Sequence, residues 1–262
     1  MRICAVFNVW GDSVLLDHAI KHIYPLVDGV IVVYSMLSNF GEHTHEPINH
    51  LPGVDYVRHE PDLNARPVDN ERAKRNKGLD KARELSYTHF LSMDADEFYD
   101  PTEFKNDKEK FKNENLLGLV SRVKTYFREP TLTIGYDVTL VPTIHKITPS
   151  LRFQWNTRYP FAFDGPKKEI RVDPTRQMNI FNGVEMSDTT MHHYSWIRSD
   201  VALKVRNSTA RNNIESSTIF RDYADAKPRY YCQFYKARLE ACENKFNIPA
   251  LIDVNCSGSI RE

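Results

Sequence analysis

The chain has 262 residues, of which 41% are hydrophobic and 27% are charged. Such a composition is ordinary for a globular protein, and the length is sufficient to bury a full core. Lysine plus arginine and aspartate plus glutamate both total 35, so the formal net charge is zero. A neutral chain produces no global field that would attract nucleic acid or a membrane surface. Nucleic acid is therefore an unexpected partner, although zero net charge does not exclude a local basic patch.

The four cysteines are scattered and form no Cys-x-x-Cys pair: Cys4, Cys232, Cys242 and Cys256. This pattern indicates a reduced protein rather than a disulfide framework or a zinc site. The first residues enter a strand pattern directly, without the features of a signal peptide. No apolar run reaches the ~18 residues that a transmembrane helix needs. We therefore expect a cytoplasmic protein without a transmembrane segment.

A βαβ unit is predicted at the start of the chain. Residues 2–7 and 30–34 have the apolar composition of buried strands. Residues 13–24 between them carry apolar side chains at helical spacing. A third strand is predicted at 54–57. This order predicts an α/β fold with right-handed crossovers.

A run of acidic residues follows the next predicted strand. Residues 89–93 form a short, mostly apolar run, and they lead into Asp94-Ala95-Asp96-Glu97. In an open α/β sheet, ligands bind outside the carboxyl ends of the strands. Crowded carboxylates repel one another unless a cation lies between them, and hard oxygen ligands suit Mg²⁺ or Mn²⁺. The simpler alternative is an acidic helix cap, because Pro101-Thr102-Glu103 follows.

The predicted helix over residues 69–85 is basic near its start. Arg72 and Arg75 lie on the same face as Leu79 at about 100° per residue. Guanidinium groups bind phosphate bidentately, so this end of the helix is a candidate anion site. The alternative is a solvated charged face.

These pieces together resemble the nucleotide-sugar half of GT-A glycosyltransferases, and most of all the members of glycosyltransferase family 2. The resemblance rests on two motifs about twenty residues apart, Arg75-Asn76-Lys77-Gly78-Leu79 and Phe90-Leu91-Ser92-Met93-Asp94-Ala95-Asp96. It covers residues 2–100 closely and continues more loosely to about residue 198. It implies a mixed, mainly parallel α/β sheet flanked by helices.

The resemblance also implies roles for individual residues. Asp94 would contact the ribose or the metal, and Asp96 would ligate Mn²⁺ or Mg²⁺ on the diphosphate of the donor. Arg75 would lie near the diphosphate or the nucleotide, with Asn8 and Arg72 also in the donor site. The donor implied is a nucleoside-diphosphate sugar, with a UDP-sugar favoured. One segment departs from the family: Val33-Tyr34-Ser35-Met36 stands where an aspartate usually contacts the base.

Two later segments resemble the acceptor half of the family. Phe163 to Ile170 matches a segment in which many members have His-Glu, and here Glu169 keeps the glutamate. Thr190 to Arg198 matches a His-Tyr-x-x-x-Arg segment, in which His193 would reach the metal, with His192 as the less favoured choice. An inverting transfer needs a general base on the acceptor side. Of four candidate carboxylates we favour Glu169 and then Asp164; the other two are Asp137 and Asp173.

We predict a catalytic domain over residues 1–198, with a donor half to about residue 100 and an acceptor half over 101–198. A C-terminal helical extension is predicted over 199–262, with helices at 201–214 and 224–246. The extension could shape the acceptor site or a dimer, so the oligomeric state stays open.

The sequence thus predicts a metal-dependent glycosyltransferase of the hexosyltransferase type. It would move a sugar to a hydroxyl of a glycan or another acceptor, with inversion. Two alternatives remain at this stage. One is a nucleotidyltransferase, although its Gly-rich first loop is missing. The other is a non-catalytic module that binds nucleotide sugars, which turnover of the donor would separate from the enzyme.

Overall fold

The computed structural model describes residues 1–11, 13–44, 48–156, 159, 171–198, 200–209 and 211–251. The chain divides into two compact units. Unit 1 comprises residues 1–123 and 138–191, and unit 2 comprises residues 124–137 and 192–262. The predicted domain boundary after residue 198 remains a prediction.

Unit 1 contains the predicted α/β arrangement. The first elements are β1 (Ile3–Val9), α1 (Ser13–Ile23), β2 (Gly29–Tyr34), β3 (Val54–Arg58), α2 (Pro67–Glu84) and β4 (His89–Asp94). They are followed by β5 (Glu97–Tyr99), α3 (Pro101–Lys110), β6 (Gly118–Phe127), β7 (Glu129–Lys146), β8 (Arg171–Val172) and β9 (Val184–Met186). β6 and β7 each contribute residues to both units.

The strand order places β1 at a topological switch point. The sheet runs β3-β2-β1-β4-β7-β6, with β8 on β7 and β9 on β6. The pairs β1–β2, β2–β3 and β1–β4 are parallel, whereas β4–β7 is antiparallel. The chain leaves β1 toward β2 and β3 and returns to β4 on the other side. This confirms the predicted mixed, mainly parallel α/β fold, and the crevice between β1 and β4 is where such sheets bind ligands.

Helix α2 lies unusually close to the sheet. A Cβ atom on Gly78 would come within 2.4 Å of Val6 Cγ1 and 2.9 Å of Val33 Cγ2. Any larger residue at position 78 would therefore push the helix away from β1 and β2. The core beneath it includes Leu79 and Phe90. This close approach fixes the depth at which the side chains of α2 reach the end of the sheet.

The sequence left open that the acidic run after β4 is a helix cap. The residue that caps the next helix is Asp100, which lies after that run. Asp100 caps α3, because its Oδ1 accepts from the backbone N–H groups of Thr102 and Glu103 at 2.8 and 3.0 Å. Asp94, Asp96 and Glu97 all precede this cap. The acidic run therefore needs another explanation.

Unit 2 has its own core and fewer helical residues than predicted. It contains most of β10 (Met191–Trp196), then α4 (Val201–Asn207), α5 (Ser216–Asp225), β11 (Tyr231–Cys232), β12 (Ala237–Arg238) and β13 (Glu240–Ala241). A cluster around Phe127, Trp196 and Tyr223 forms the core. Among the helices that the structure describes, none is long and apolar enough to cross a membrane.

The predicted helix over residues 224–246 is wrong. That stretch holds short strands and turns, with Arg229 and Lys236 at positive φ. The fully buried carboxylate of Asp222 accepts from Tyr230 Oη at 2.9 Å and from the backbone N–H of Phe234 at 2.8 Å. These bonds fold the segment back on α5, so the aromatic residues pack without helical backbone.

Candidate functional site

Asn8 and Asp94 are neighbours at the switch point of the sheet. They are the last register pair that joins the parallel strands β1 and β4. Both side chains therefore start from the carboxyl ends of adjacent strands, as the sequence predicts. Asp94 keeps about a third of its side chain exposed, so this carboxylate borders solvent.

Arg75 reaches Asp94 from helix α2. Its Nη2 atom donates to both carboxylate oxygens of Asp94, at 2.9 and 3.2 Å, and its Nη1 atom donates to Ser92 Oγ at 3.1 Å. The guanidinium is almost completely buried. The structure thus brings two of the predicted donor-site residues together in a charge-assisted pair.

Arg176 is a second buried guanidinium at this site, and the sequence analysis missed it. Its Nη2 atom donates to Asp94 Oδ2 at 2.8 Å and also to Glu97 Oε1, while its Nη1 atom donates to Glu97 Oε2 at 3.1 Å. Nη1 also donates to the backbone carbonyl of Ser92 at 3.2 Å. Arg176 follows a turn in which Asp173 Oδ1 accepts from Thr175. Nothing in that polar segment distinguishes a buried arginine from a solvated one.

The carboxylate of Glu97 is fully buried beside these groups. Burial raises the pKa of Glu97 to about 7, the guanidinium of Arg176 opposes the rise, and Asp94 and Asp96 add to it. In turn, Asp94 and Glu97 hold the pKa of Arg176 well above its usual value against the effect of burial. The site therefore concentrates three carboxylates in a medium that favours an additional cation.

Asp96 is the better placed of the two predicted aspartate ligands. It is buried, and one of its carboxylate oxygens lies within 4.8 Å of an oxygen of Glu97. Asp94 instead binds both arginines through its two oxygens. Closely spaced carboxylate oxygens match the ligand preference of Mg²⁺ and Mn²⁺, so the residues present fit such an ion. His193 lies on β10 in unit 2, and its part as a metal ligand stays a prediction.

A second polar group lies on the β2 side of the switch point. Glu71 accepts hydrogen bonds from Asn8 Nδ2 at 2.6 Å and from Asn39 Nδ2 at 3.0 Å. The other amide atom, Asn8 Oδ1, is buried and accepts no hydrogen bond from the part of the chain that the structure describes. Lys74 is buried beside them and donates to the carbonyl of Val9. Burial lowers the pKa of Lys74 to about 8.

Arg72 lies close to this site, but its guanidinium faces other groups of the protein. Nη1 donates to Asp69 Oδ1 at 3.1 Å, and Nη2 donates to the carbonyl of Pro174 at 3.1 Å. The guanidinium carbon lies 5.5 Å from the ring centroid of Trp155. Only 7% of the residue is exposed. Its predicted contact with the donor remains a prediction.

Glu169 and Asp164, the predicted general bases, lie outside the described residues. Of the other two carboxylate candidates, Asp173 binds the backbone N–H and the hydroxyl of Thr175, each at 2.8 Å. Asp137 belongs to unit 2. The assignment of the base therefore stays a prediction.

No family model and no curated protein matches the sequence. Solved structures do align with it at low identity. One is S. aureus TarS 1–349, with 12% identity, a TM-score of 0.43, and coverage of 86% of this chain and 70% of that chain. Another, from Desulfovibrio desulfuricans G20, is assigned as a nucleotide-diphospho-sugar transferase, with 11% identity, a TM-score of 0.38, and coverage of 85% and 99%.

A third alignment is with mannose-1-phosphate geranyltransferase from Thermus thermophilus. It has 12% identity and a TM-score of 0.30, and it covers 50% of this chain. The aligned part spans less than half of that enzyme, 43% of its length. The fold described above rests on the strand order and register of this chain alone.

Proposed function

We propose that this protein is a glycosyltransferase that moves a sugar from a nucleoside-diphosphate sugar to a hydroxyl of a glycan or another acceptor. The observation that carries the proposal is the convergence of Asp94, Asp96, Arg75 and Arg176 outside the carboxyl ends of β1 and β4. Ligands of open α/β sheets bind at this place. A site that holds acidic metal ligands beside fixed guanidinium groups suits a diphosphate with a divalent cation.

The chain's own residues would divide the work on the donor. Arg75 and Arg176 hold fixed positive charge where the departing diphosphate carries negative charge, and preorganised charge of this kind needs no reorientation during the reaction. Asp94 orients both guanidinium groups. Asn8 offers Oδ1, which accepts no hydrogen bond from the described residues, to a donor group of the nucleoside.

Asp96 would be the principal metal ligand, with Asp94 as a further ligand. When bound, Mn²⁺ or Mg²⁺ would supply Lewis-acid neutralisation of the leaving diphosphate. We propose a UDP-sugar as the donor and a hexosyl group as the sugar transferred. Glu169 would accept the proton of the acceptor hydroxyl in an inverting displacement, and Asp164 is the second choice.

The decisive test is a screen of nucleotide sugars against the purified chain, with and without Mn²⁺. A ligand at a hundredfold excess over its Kd stabilises the folded state by about 2.7 kcal/mol, which thermal unfolding detects readily. We expect one UDP-sugar to raise Tm in a metal-dependent manner, and to be consumed when a mixture of glycans is added. A donor that binds but is never consumed would favour a non-catalytic module. Release of pyrophosphate from a nucleoside triphosphate and a sugar phosphate would indicate a nucleotidyltransferase instead.

A further inference from the structure

Trp155 presents a large aromatic surface to solvent from a fixed backbone. The side chain is 60% exposed, which is unusual for the largest hydrophobic residue. On one side of it, the N–H of Gln154 donates to the carbonyl of Gln177 at 3.0 Å. On the other, the backbone N–H of Asn156 donates to Gln177 Oε1 at 3.1 Å, and its side-chain amide donates to the carbonyl of Met178 at 2.8 Å. A ligand that binds this indole therefore loses little binding free energy to ordering of the backbone, which is already fixed.

Arg72 determines which part of the indole is available. Its guanidinium lies over the ring, and it is itself held by Asp69 and by the carbonyl of Pro174. A guanidinium over an indole face is a favourable cation–π arrangement. One face of the indole is therefore turned toward the buried guanidinium of Arg72. The solvent-exposed part of the ring is the surface that a ligand can contact.

The position of this indole relative to the acidic site follows from helix α2, which contacts both, and from a segment that contacts Arg72 and Asp94. Helix α2 carries Arg72 and Arg75, which are three residues or about 4.5 Å apart along the axis. The segment around residues 174–176 carries Pro174, which binds Arg72, and Arg176, which binds Asp94. Helix α2 begins at the carboxyl edge of the sheet, since it joins the parallel strands β3 and β4. Arg72, with Trp155 beside it, therefore lies nearer than Arg75 to the carboxyl edge of the sheet.

The two sides of the Asp94 group differ in chemistry. On the β2 side, Asn8, Asn39 and Glu71 offer hydrogen-bonding groups, which suit the base and ribose of a nucleoside. Trp155 instead contacts Arg72, which donates to the carbonyl of Pro174. That residue belongs to the segment next to β7, where the N–H of Asp173 donates to the carbonyl of Leu140. The exposed part of Trp155 offers a broad apolar face.

We infer that Trp155 is the stacking platform for a sugar ring of a carbohydrate acceptor, with Arg72 as the residue that positions it. This inference rests on the proposed glycosyl transfer. A pyranose ring has a face of C–H groups and a rim of hydroxyls, so it can lie on an indole while its hydroxyls stay hydrated. Trp155 would thereby select acceptors that have such a ring next to the reacting hydroxyl.

The test compares Trp155→Ala with wild type in two separate binding measurements. One titrates a panel of methyl-capped trisaccharides of glucose, galactose and N-acetylglucosamine, followed by saturation-transfer NMR. The other titrates UDP with Mn²⁺. We expect at least one trisaccharide to bind wild type, and Trp155→Ala to weaken it tenfold or more with UDP affinity unchanged. Trp155→Phe should retain part of the affinity, and Arg72→Met should fall between wild type and Trp155→Ala.

Phe181→Ala is the matched control, because Phe181 is 65% exposed and follows Ile180, whose carbonyl accepts from Asn156. Its trisaccharide affinity should equal that of wild type. Equal losses in Trp155→Ala and Phe181→Ala, or no binding by any trisaccharide of the panel, would overturn the inference. A loss of UDP affinity in Trp155→Ala would overturn it too, by assigning the indole to the nucleoside. A wild-type protein that binds a trisaccharide but no nucleotide sugar would contradict the proposed function and leave the glycan site standing.

Discussion

Arg176 and Asp94 are 82 residues apart in sequence, yet Nη2 of the first lies 2.8 Å from Oδ2 of the second. Arg75, which lies on helix α2, binds the same carboxylate. Asp94 is thus held between two cations before any ligand arrives. Asp94 is therefore placed to align both guanidinium groups. The prediction that Asp96 is the principal metal ligand is kept as part of the proposed function.

Replacement of Asp96 should separate metal binding from folding. We expect Asp96→Asn to lose the Mn²⁺-dependent rise in Tm with a UDP-sugar, while the unliganded Tm stays near or above that of wild type. The reason is that Asp96 lies among like charges, and its removal relieves their repulsion. Asp188→Asn, which changes an exposed aspartate paired with Lys110, serves as the control. An unchanged metal requirement in Asp96→Asn would remove this residue from the metal site.

Replacement of Arg75 should distinguish the diphosphate from the nucleoside. We expect Arg75→Ala to weaken UDP at least tenfold and uridine hardly at all, because a guanidinium directed at phosphate has no partner in the nucleoside. Isothermal titration with both ligands provides the measurement. Arg83→Ala is the matched control, since Arg83 lies on the same helix and binds the carbonyls of Thr148 and Leu151. Equal losses for UDP and uridine would indicate a purely structural role for Arg75.

Local patterns in the sequence were sufficient to predict the first half of the fold. Short apolar runs mark the buried strands β1, β2 and β4, and side chains at helical spacing mark α1 and α2. The pairing of Asn8 with Asp94 follows from parallel strands. Arg176 could not be predicted, because its burial depends on contacts with residues about 80 positions earlier. The helix over 224–246 was predicted from aromatic spacing that also fits turns, and the deciding bonds come from Asp222. Propensity gives way here to tertiary contacts.

The buried pair of Arg176 and Glu97 should be strongly coupled. We expect Arg176→Met to lower the free energy of unfolding by about 3–5 kcal/mol, the usual cost of removing one partner of a buried ion pair. The loss should be largest above neutral pH, because the variant raises the pKa of Glu97 further and protonation then removes the unpaired charge. Glu97→Gln in the same chain should recover part of this loss, by about 0.5–3 kcal/mol, the range found for contacting residues. Urea unfolding of wild type, both single variants and the double variant gives the coupling energy. Additive losses would show that the two side chains do not stabilise each other.

The proposed general base can be tested without a change in donor binding. Glu169→Gln should lower kcat by about 10²–10⁴-fold, the typical contribution of a positioned base. The Kd for UDP should remain near that of wild type, since the amide keeps the shape of the side chain. Asp164→Asn provides the comparison. Near-normal turnover by Glu169→Gln together with a large loss in Asp164→Asn would transfer the role to Asp164, and retention at the anomeric carbon would refute the inverting scheme.

A buried histidine should make the fold sensitive to mild acid. His145 is fully buried between strands, with Nε2 2.9 Å from Tyr159 Oη. Burial lowers the pKa of His145 to about 3, against an ordinary value of 6.5, and the carbonyl of Thr143 opposes this only in part.

Because the folded pKa is depressed, the unfolded state binds more protons between pH 3 and 6.5. The contribution of His145 to stability is therefore complete above pH 6.5 and declines as the pH falls. At pH 5 the loss from this group is about 2 kcal/mol, from 1.36 kcal/mol for each pH unit below 6.5. His59 and His89, whose pKa values burial lowers to about 4, act in the same direction.

Urea unfolding of wild type and His145→Gln at pH 7.5 and 5.0 checks this pH dependence of stability. We expect the variant to be less stable at pH 7.5, since Gln cannot keep both contacts of the ring, but to lose about 2 kcal/mol less than wild type on acidification. Parallel losses in the two proteins would show that His145 titrates in the folded state as it does in the unfolded chain.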